Sequence, residues 1–332
     1  MLKASVLVPA YNEEQNIGRL LRGLLQQRVT SAELVEIVVV TSGCTDQTHE
    51  LVRAIVQEDA RVRLVVQDVR MGKVSAINAY LRERDAACEL TVICGADLLL
   101  QPGCLELLLR PFVTEPKLGM TGARPRPTNP RGTLLGDMVH FVWELHHERA
   151  CEQPKMGELV VFRAAIIGEL DERSAVDEAL IEALVLKKEH SLRYVPEAVV
   201  ANRGPSTLRE FFEHRRRIEA GHLWLRKQTG YSVSTLDWRS SLRLSLQHFS
   251  LTDPRTDVAY LTAMAVEALA RGLGMMDLRR NYSHAVWKPL STARNVQPDL
   301  NENVIPLPVP ARRADEVGDG EHEKGAQAPG LP

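Results

Sequence analysis

The 332-residue sequence predicts an α/β fold: a mixed, mainly parallel sheet with flanking helices and a C-terminal helical extension. Three observations predict it. Short β-branched runs alternate with helix-patterned segments from residue 4 to residue 96. Those runs are continuously apolar, as in strands buried on both faces of a parallel sheet. Each then ends in a short polar or Gly/Pro-containing cluster, where ligands bind in such sheets.

In order, "ASVLVPA" (4–10) reads as the first strand, followed by a helix over about 14–27 whose first turn holds Glu13 and Glu14, favourable with the helix dipole. "VEIVVVT" (35–41) is the second strand, and a helix over about 45–58 follows, with Asp46 placed to hold the turn and cap it. "VRLVVQ" (62–67) is the third. A helix over about 73–84 opens after Gly72, and "LTVICGA" (90–96) is the fourth strand. Residues 115–205 are looser, with "HFVWELHHERA" and "GELVVFR" among their pieces. Helices are expected over 206–228 and 255–280. From about residue 295 the chain is rich in Pro, Gly and acids without periodicity, so 291–332 is expected to be a disordered tail beside a main domain (1–205) and a helical extension (206–290).

Composition excludes several classes. Hydrophobic residues make up 44%, charged residues 25%, and the formal net charge is −2, so a core is expected and the basic signature of nucleic-acid binding is lacking. Five scattered cysteines with no Cys-x-x-Cys pair fit neither a disulfide framework nor structural zinc, and point to reduced thiols in the cytoplasm. The N-terminus turns polar after ten residues and reads as a strand, not a signal peptide. The most apolar window, 258–276, is interrupted by Glu267 and Arg271 and reads as a packed helix.

The stretch "TVICGADLLLQPGCL" (91–105) runs an apolar strand into Asp97. An ionised carboxylate there is costly to desolvate without a partner, so a cation or polar ligand is one reading. Capping of the following turn is the other.

Eight pieces in order, "VPAYNEEQNI", "VVVTSGCTDQT", "GKVSAINAYL", "GADLLLQPGCL", "GELVVFR", "VDEAL", "RYVPEAVV" and "FFEHRRRIEAG", resemble the family 2 glycosyltransferases, which have the GT-A (Rossmann-like) fold and invert the anomeric centre. The resemblance covers about residues 4–280. It implies a metal-dependent transfer of a single sugar from a nucleotide-diphosphate donor, a UDP- or GDP-sugar, to the hydroxyl of a glycan or lipid-linked acceptor. It implies donor contacts from Pro9, Tyr11, Glu13, Thr41, Ser42, Gly72, Lys73, Ala96 and Arg217. Asp97 would be the retained half of the family's Asp-x-Asp motif, holding Mg2+ or Mn2+, with Gly95 at the position of the lost aspartate. Asp177 would be the general base, and Glu178 takes that place if the alignment slips by one.

The chain departs from the pattern elsewhere. Thr41 and Ser42 stand where the family has aspartates near the base, and His214 and Ile218 replace the Gln and Trp of Gln-x-x-Arg-Trp, which argues against a processive polymer synthase. A catalytically degenerate domain that binds nucleotide or assembles with a partner is therefore the alternative. A nucleotidyltransferase would carry a Gly-rich N-terminal loop, and "VPAYNEEQNI" is not one. His140, His146 and His147 lack metal-ligand spacing. The basic, partly aromatic segment 206–228 has two readings: packing on the main domain, or peripheral contact with an anionic membrane at its inner face.

A chain ended at residue 294 is expected to melt at the temperature of the full chain in calorimetry, because the tail buries too little apolar area to offset its ordering entropy. A large drop would mean that "VIPLPVP" docks on the body.

Overall fold

The structure is a computed structural model that describes residues 1–250, 252–282 and 284–286. The expected tail lies outside the described residues. The first half contains β1 (Leu2–Ala10), α1 (Ile17–Leu25), β2 (Ala32–Ser42), α2 (Thr48–Glu58), β3 (Val62–Gln67), α3 (Lys73–Glu83), β4 (Leu90–Cys94), β5 (Leu99–Leu100), α4 (Cys104–Leu109) and α5 (Pro111–Thr114). The second contains β6 (Leu118–Pro127), α6 (Leu134–Glu152), β7 (Leu159–Arg163), α7 (Asp177–Lys187), β8 (Ser191–Asn202), α8 (Leu208–Thr229), α9 (Trp238–Gln247) and α10 (Pro254–Arg279).

The strands form one sheet in the order β3-β2-β1-β4-β7-β6-β8-β5. β3, β2, β1 and β4 are mutually parallel, while β7 joins β4 and β6 antiparallel. The mixed, mainly parallel sheet is therefore as expected. Strand order reverses at β1, which has β2 on one side and β4 on the other, so a crevice opens between their carboxyl ends. Buried side chains cover both faces. Val6, Val8, Val39 and Val92 face α1 and α2 on one side, and Leu7, Val38, Ile93 and Phe162 face α3 and α7 on the other. This two-sided burial is why the strands read as unbroken apolar runs.

Loop chemistry sets the boundaries that differ from expectation. α1 begins at Ile17 because the Glu13 carbonyl accepts from the amides of Asn16 and Ile17 in a turn, while Asn12 takes a left-handed conformation (φ 55). Three contacts stitch that loop to the one after β2: Asn12 Oδ1 accepts from Thr45 N (2.8 Å), Thr48 Oγ1 from Glu13 N (2.8 Å) and Asp46 Oδ2 from Glu14 N (3.2 Å). Gly43 takes φ 66 where a Cβ would lie 2.5 Å from the Arg70 amide nitrogen, so that close approach of two loops needs glycine.

α6 and α9 were not assigned from the pattern. α6 turns Asp137 and Arg149 inward along with Met138 and Phe141, which blurs its periodicity. α8 and α10 match their expected spans closely, capped by Thr207 and Asp253. Of the two readings of 206–228, packing on the main domain describes its apolar side. Phe211, Leu223 and Leu225 are buried, and two arginines pair with α10: Arg215 grips Glu267 at 2.6 and 2.9 Å, and Arg216 Nε meets Asp277 at 2.6 Å, while Arg209, Arg226 and Lys227 stay exposed. Arg271 adds a 3.1 Å contact to Glu267 within α10 and donates to Thr235 O (3.1 Å), so of the charges that interrupt the apolar window Glu267 is the one that ties α10 to α8.

Burial alone would raise the Glu267 carboxyl, but Arg215 and Arg271 overcome it and hold it at about 2. With its folded pKa below its unfolded one, Glu267 stabilises the fold above the ordinary carboxylate range and loses that contribution as pH falls towards 2. Glu267→Gln is expected to cost about 3 kcal/mol in urea unfolding at neutral pH. Its deficit should shrink steadily between the ordinary carboxylate pKa and pH 2.

Candidate active site

A cavity of about 410 Å³ opens at the carboxyl ends of β1 and β4 and continues beneath α6, α8 and α10. β1 and the loop after it deliver Pro9, Tyr11 and Glu13 to its wall, and the end of β2 delivers Ser42. Ser42 Oγ donates to Val69 O and accepts from Met71 N (3.1 Å), fixing the loop that leads to Gly72 and Lys73. Arg70 from that loop lies 4.0 Å over the Tyr11 ring, a cation–π contact on the same wall. Gly72 has φ 94, and a Cβ there would come within 3.0 Å of Ala285 O. Thr41 is not brought to the cavity. It is fully buried in the sheet, with its hydroxyl 2.9 Å from His49 Nε2, so the place of the family's aspartate is filled by an internal hydrogen bond.

The centre is ionic. Lys73, at the start of α3, places Nζ 2.8 Å from Asp177 Oδ2 and 2.5 Å from Glu178 Oε1, both at the start of α7. The Asp177 contact lacks hydrogen-bond alignment and leaves Oδ2 without a donor among the described residues. Burial raises the Asp177 carboxyl, the Glu178 charge raises it further, and Lys73 recovers only part. Glu178 goes the other way: burial would raise it, but Lys73 holds it below the ordinary range. The lysine itself, despite burial, is held charged by the two acids. The two adjacent carboxylates are thus driven apart, one kept as a counter-ion and the other left as a base poised nearer neutrality. Arg217 lines the same space, its guanidinium donating to Ala175 O (3.1 Å) and bracing the loop before Asp177.

Ala96 and Asp97 lie in the turn after β4 and also line the cavity. Glu158, to which the sequence reading assigned no role, lines it too. Its carbonyl accepts from Gly95 N (3.4 Å) through the β4–β7 pairing, and its φ of 62 is unusual for a non-glycine residue. Burial raises both Asp97 and Glu158, and Asp97 adds to the rise of Glu158. The signal that singled out Asp97, an acid abutting an apolar run, was equally present in "GELVVFR".

Among the described residues no group of three or more His, Cys, Asp or Glu side chains is arranged for a metal. The donor set still fits a hard divalent cation of the kind held by one or two carboxylates, with phosphate oxygens and water completing the shell. Asp97 and Glu158 are half-buried acids whose shared nearby cation is Lys73. A Cβ at Gly95 would lie 3.0 Å from Asp97 Oδ1, so glycine there leaves room for the carboxylate.

Deeper in, Lys155, His146, His214 and His222 face the cavity from α6, α8 and the segment before β7. Burial lowers all four, which keeps the imidazoles neutral at pH 7. Glu182 is raised by burial to about 7 and accepts from Met156 N (2.6 Å) and the Tyr231 hydroxyl (2.8 Å).

Residues 5–155 match the model of glycosyl transferase family 2. The chain is similar to Probable glycosyltransferase YdaM of Bacillus subtilis (strain 168), 23% identical over 239 residues, covering 67% of this chain and 56% of that protein. It is also similar to the poly-beta-1,6-N-acetyl-D-glucosamine synthase of Staphylococcus aureus (strain COL), 27% identical over 130 residues, covering 39% of this chain and 30% of that one. The chain thus spans about half or less of the length of these curated relatives. Among solved structures, it shares its fold with the mannosyltransferase PcManGT from Pyrobaculum calidifontis in complex with GDP-Man and Mn2+. That likeness has a TM-score of 0.55 at 22% identity and covers 86% of this chain and 81% of that one, which makes the fold GT-A.

Glu178→Gln removes a like charge beside Asp177 and frees Lys73 to pair with Asp177 alone. Both effects favour ionised Asp177. Carboxyl NMR of the variant should show Asp177 titrating at lower pH than in the parent chain; an unmoved titration would show that the two acids are not coupled.

Proposed function

We propose that the chain is an inverting glycosyltransferase that moves one sugar from a UDP- or GDP-sugar to an acceptor hydroxyl. The observation that carries this reading is the convergence of Lys73, Asp97, Asp177 and Glu178 on one cavity at the carboxyl ends of β1 and β4. The GDP-Man and Mn2+ bound to PcManGT support it by analogy of fold.

In this reading Pro9, Tyr11, Glu13 and Ser42 line the nucleoside side, and the Gly72 backbone with Lys73 and Arg217 faces the diphosphate. Asp97, with Glu158 beside it, would hold Mg2+ or Mn2+, which when bound neutralises charge on the departing diphosphate. Asp177 acts on the acceptor. Its carboxylate takes the proton from the attacking hydroxyl while that oxygen approaches the anomeric carbon opposite the leaving group. Glu178 keeps Lys73 in place and so leaves Asp177 Oδ2 free of a directed hydrogen bond. The acceptor is a glycan or a lipid-linked sugar, received in the part of the cavity under α6 and α8. The unpaired cysteines fit a reducing compartment, the cytoplasm.

Two measurements test the reading. Asp97→Asn should weaken Mn2+-dependent binding of a UDP- or GDP-sugar in calorimetry without lowering the melting temperature; binding equal to the parent's would remove Asp97 from the donor site. Asp177→Asn should keep donor binding and lose transfer by ~10²–10⁴-fold, the usual cost of a missing general base. If Glu178→Gln loses transfer and Asp177→Asn does not, the base is Glu178. If neither matters, the domain binds nucleotide without catalysis.

A further inference from the structure

α10 has its polarity reversed relative to a surface helix. Its ionic side chains face inward: Glu267 to Arg215 and Arg271, Asp277 to Arg216, with Ala263, Met264 and Glu267 lining the cavity. Its outward face carries Val258, Leu261, Leu269, Met275 and Met276, each at least 40% exposed, with Ala265, Ala268 and Gly272 exposed between them. No charged residue interrupts that face from Val258 to Met276, a length of about 28 Å at 1.5 Å per residue. α9 repeats the pattern on a smaller scale, exposing Trp238, Leu242 and Leu246 at helical spacing. A soluble surface helix shows the opposite arrangement.

We propose that the outward face of α10, with the exposed side of α9, rests on an anionic membrane surface. Charge complementarity selects this occupant. Around the apolar stripe, Arg239, Arg255, Arg279 and Arg280 are exposed, and Arg243, also exposed, pairs with Glu152 of α6 (3.0 Å), whereas the exposed acids of the described residues from 237 onward, Asp237 and Asp253, are each engaged in capping a helix. Exposed Trp238 and Tyr282 supply the amphipathic rings that settle at headgroup depth. By length and composition α10 could cross a bilayer, but it lies on the surface instead. Crossing would tear Glu267, Arg271 and Asp277 from their partners and leave them in hydrocarbon. Because the inner side of the same helix lines the cavity, docking sets the cavity against the surface. The inference concerns binding alone and stands whether or not the chain transfers sugar.

The test is flotation of the full chain with vesicles of phosphatidylcholine and with vesicles containing phosphatidylglycerol as well. The chain should float with the anionic vesicles, more weakly at high salt, and poorly with phosphatidylcholine alone. Leu261→Glu with Leu269→Glu should reduce binding about tenfold or more, and Arg279→Ser with Arg280→Ser should reduce it by roughly tenfold on anionic vesicles only. Unchanged thermal unfolding of the second pair keeps the test valid even if the first pair folds poorly. The proposal is overturned if the parent chain does not float, or if neither pair alters flotation. It is also overturned if the chain is a dimer in solution that Leu261→Glu dissociates, which would make a second copy the occupant, or if it floats only once residues 295–332 are removed.

Discussion

A single ammonium group held between two carboxylates organises this molecule's cavity. Lys73 comes from the start of α3 and its partners from the start of α7, so one ion cluster joins the parallel, N-terminal part of the sheet to the chain that follows the antiparallel strands. Three charges out of water would be prohibitive singly, and each is tolerable only because the others are there. The cluster carries one net negative charge, and burial decides where it weakens. Glu178, in the tighter contact, stays ionised, while Asp177 is raised and keeps an oxygen free of a directed donor.

That cluster depends on the sheet order. Because β2 lies on one side of β1 and β4 on the other, the loops after β1 and β4 part and leave a crevice. The loop after β1 is held open by side chains of the loop after β2, with Asn12, Thr45, Thr48 and Asp46 forming a hydrogen-bonded seam. β7 then runs antiparallel to β4 and brings Glu158 against Gly95, putting a second carboxylate beside Asp97.

The C-terminal helices close the far side of the cavity by an inversion of ordinary amphipathicity. α8 and α10 point their charges at each other and at the cavity, where Glu267 binds two arginines at once. Charges satisfied inside leave apolar residues for the outside, and the exposed stripe of α10 follows from the same arrangement that builds the wall.

The parallel half was legible in the sequence because its signals are local. Unbroken apolar runs marked β1 to β4, and polar clusters at their ends marked where ligands bind; Asp97, Gly72 and Lys73 stood out for that reason. α8 was legible from its basic, partly aromatic run and α10 from the apolar window 258–276. Boundaries near 14 and 45 moved because side chains of one loop capped the other, which no single window contains. α6 escaped notice because it buries Asp137 and Arg149 along with its apolar residues. Sequence by itself determined which residue types stand at which strand ends. Only the tertiary structure decided that Lys73 meets Asp177 and Glu178, 105 residues away from the latter, that Thr41 turns into the sheet, and that Glu158 joins Asp97. Those outcomes depend on desolvation and on distances across the fold, and neither exists until the chain has closed around them.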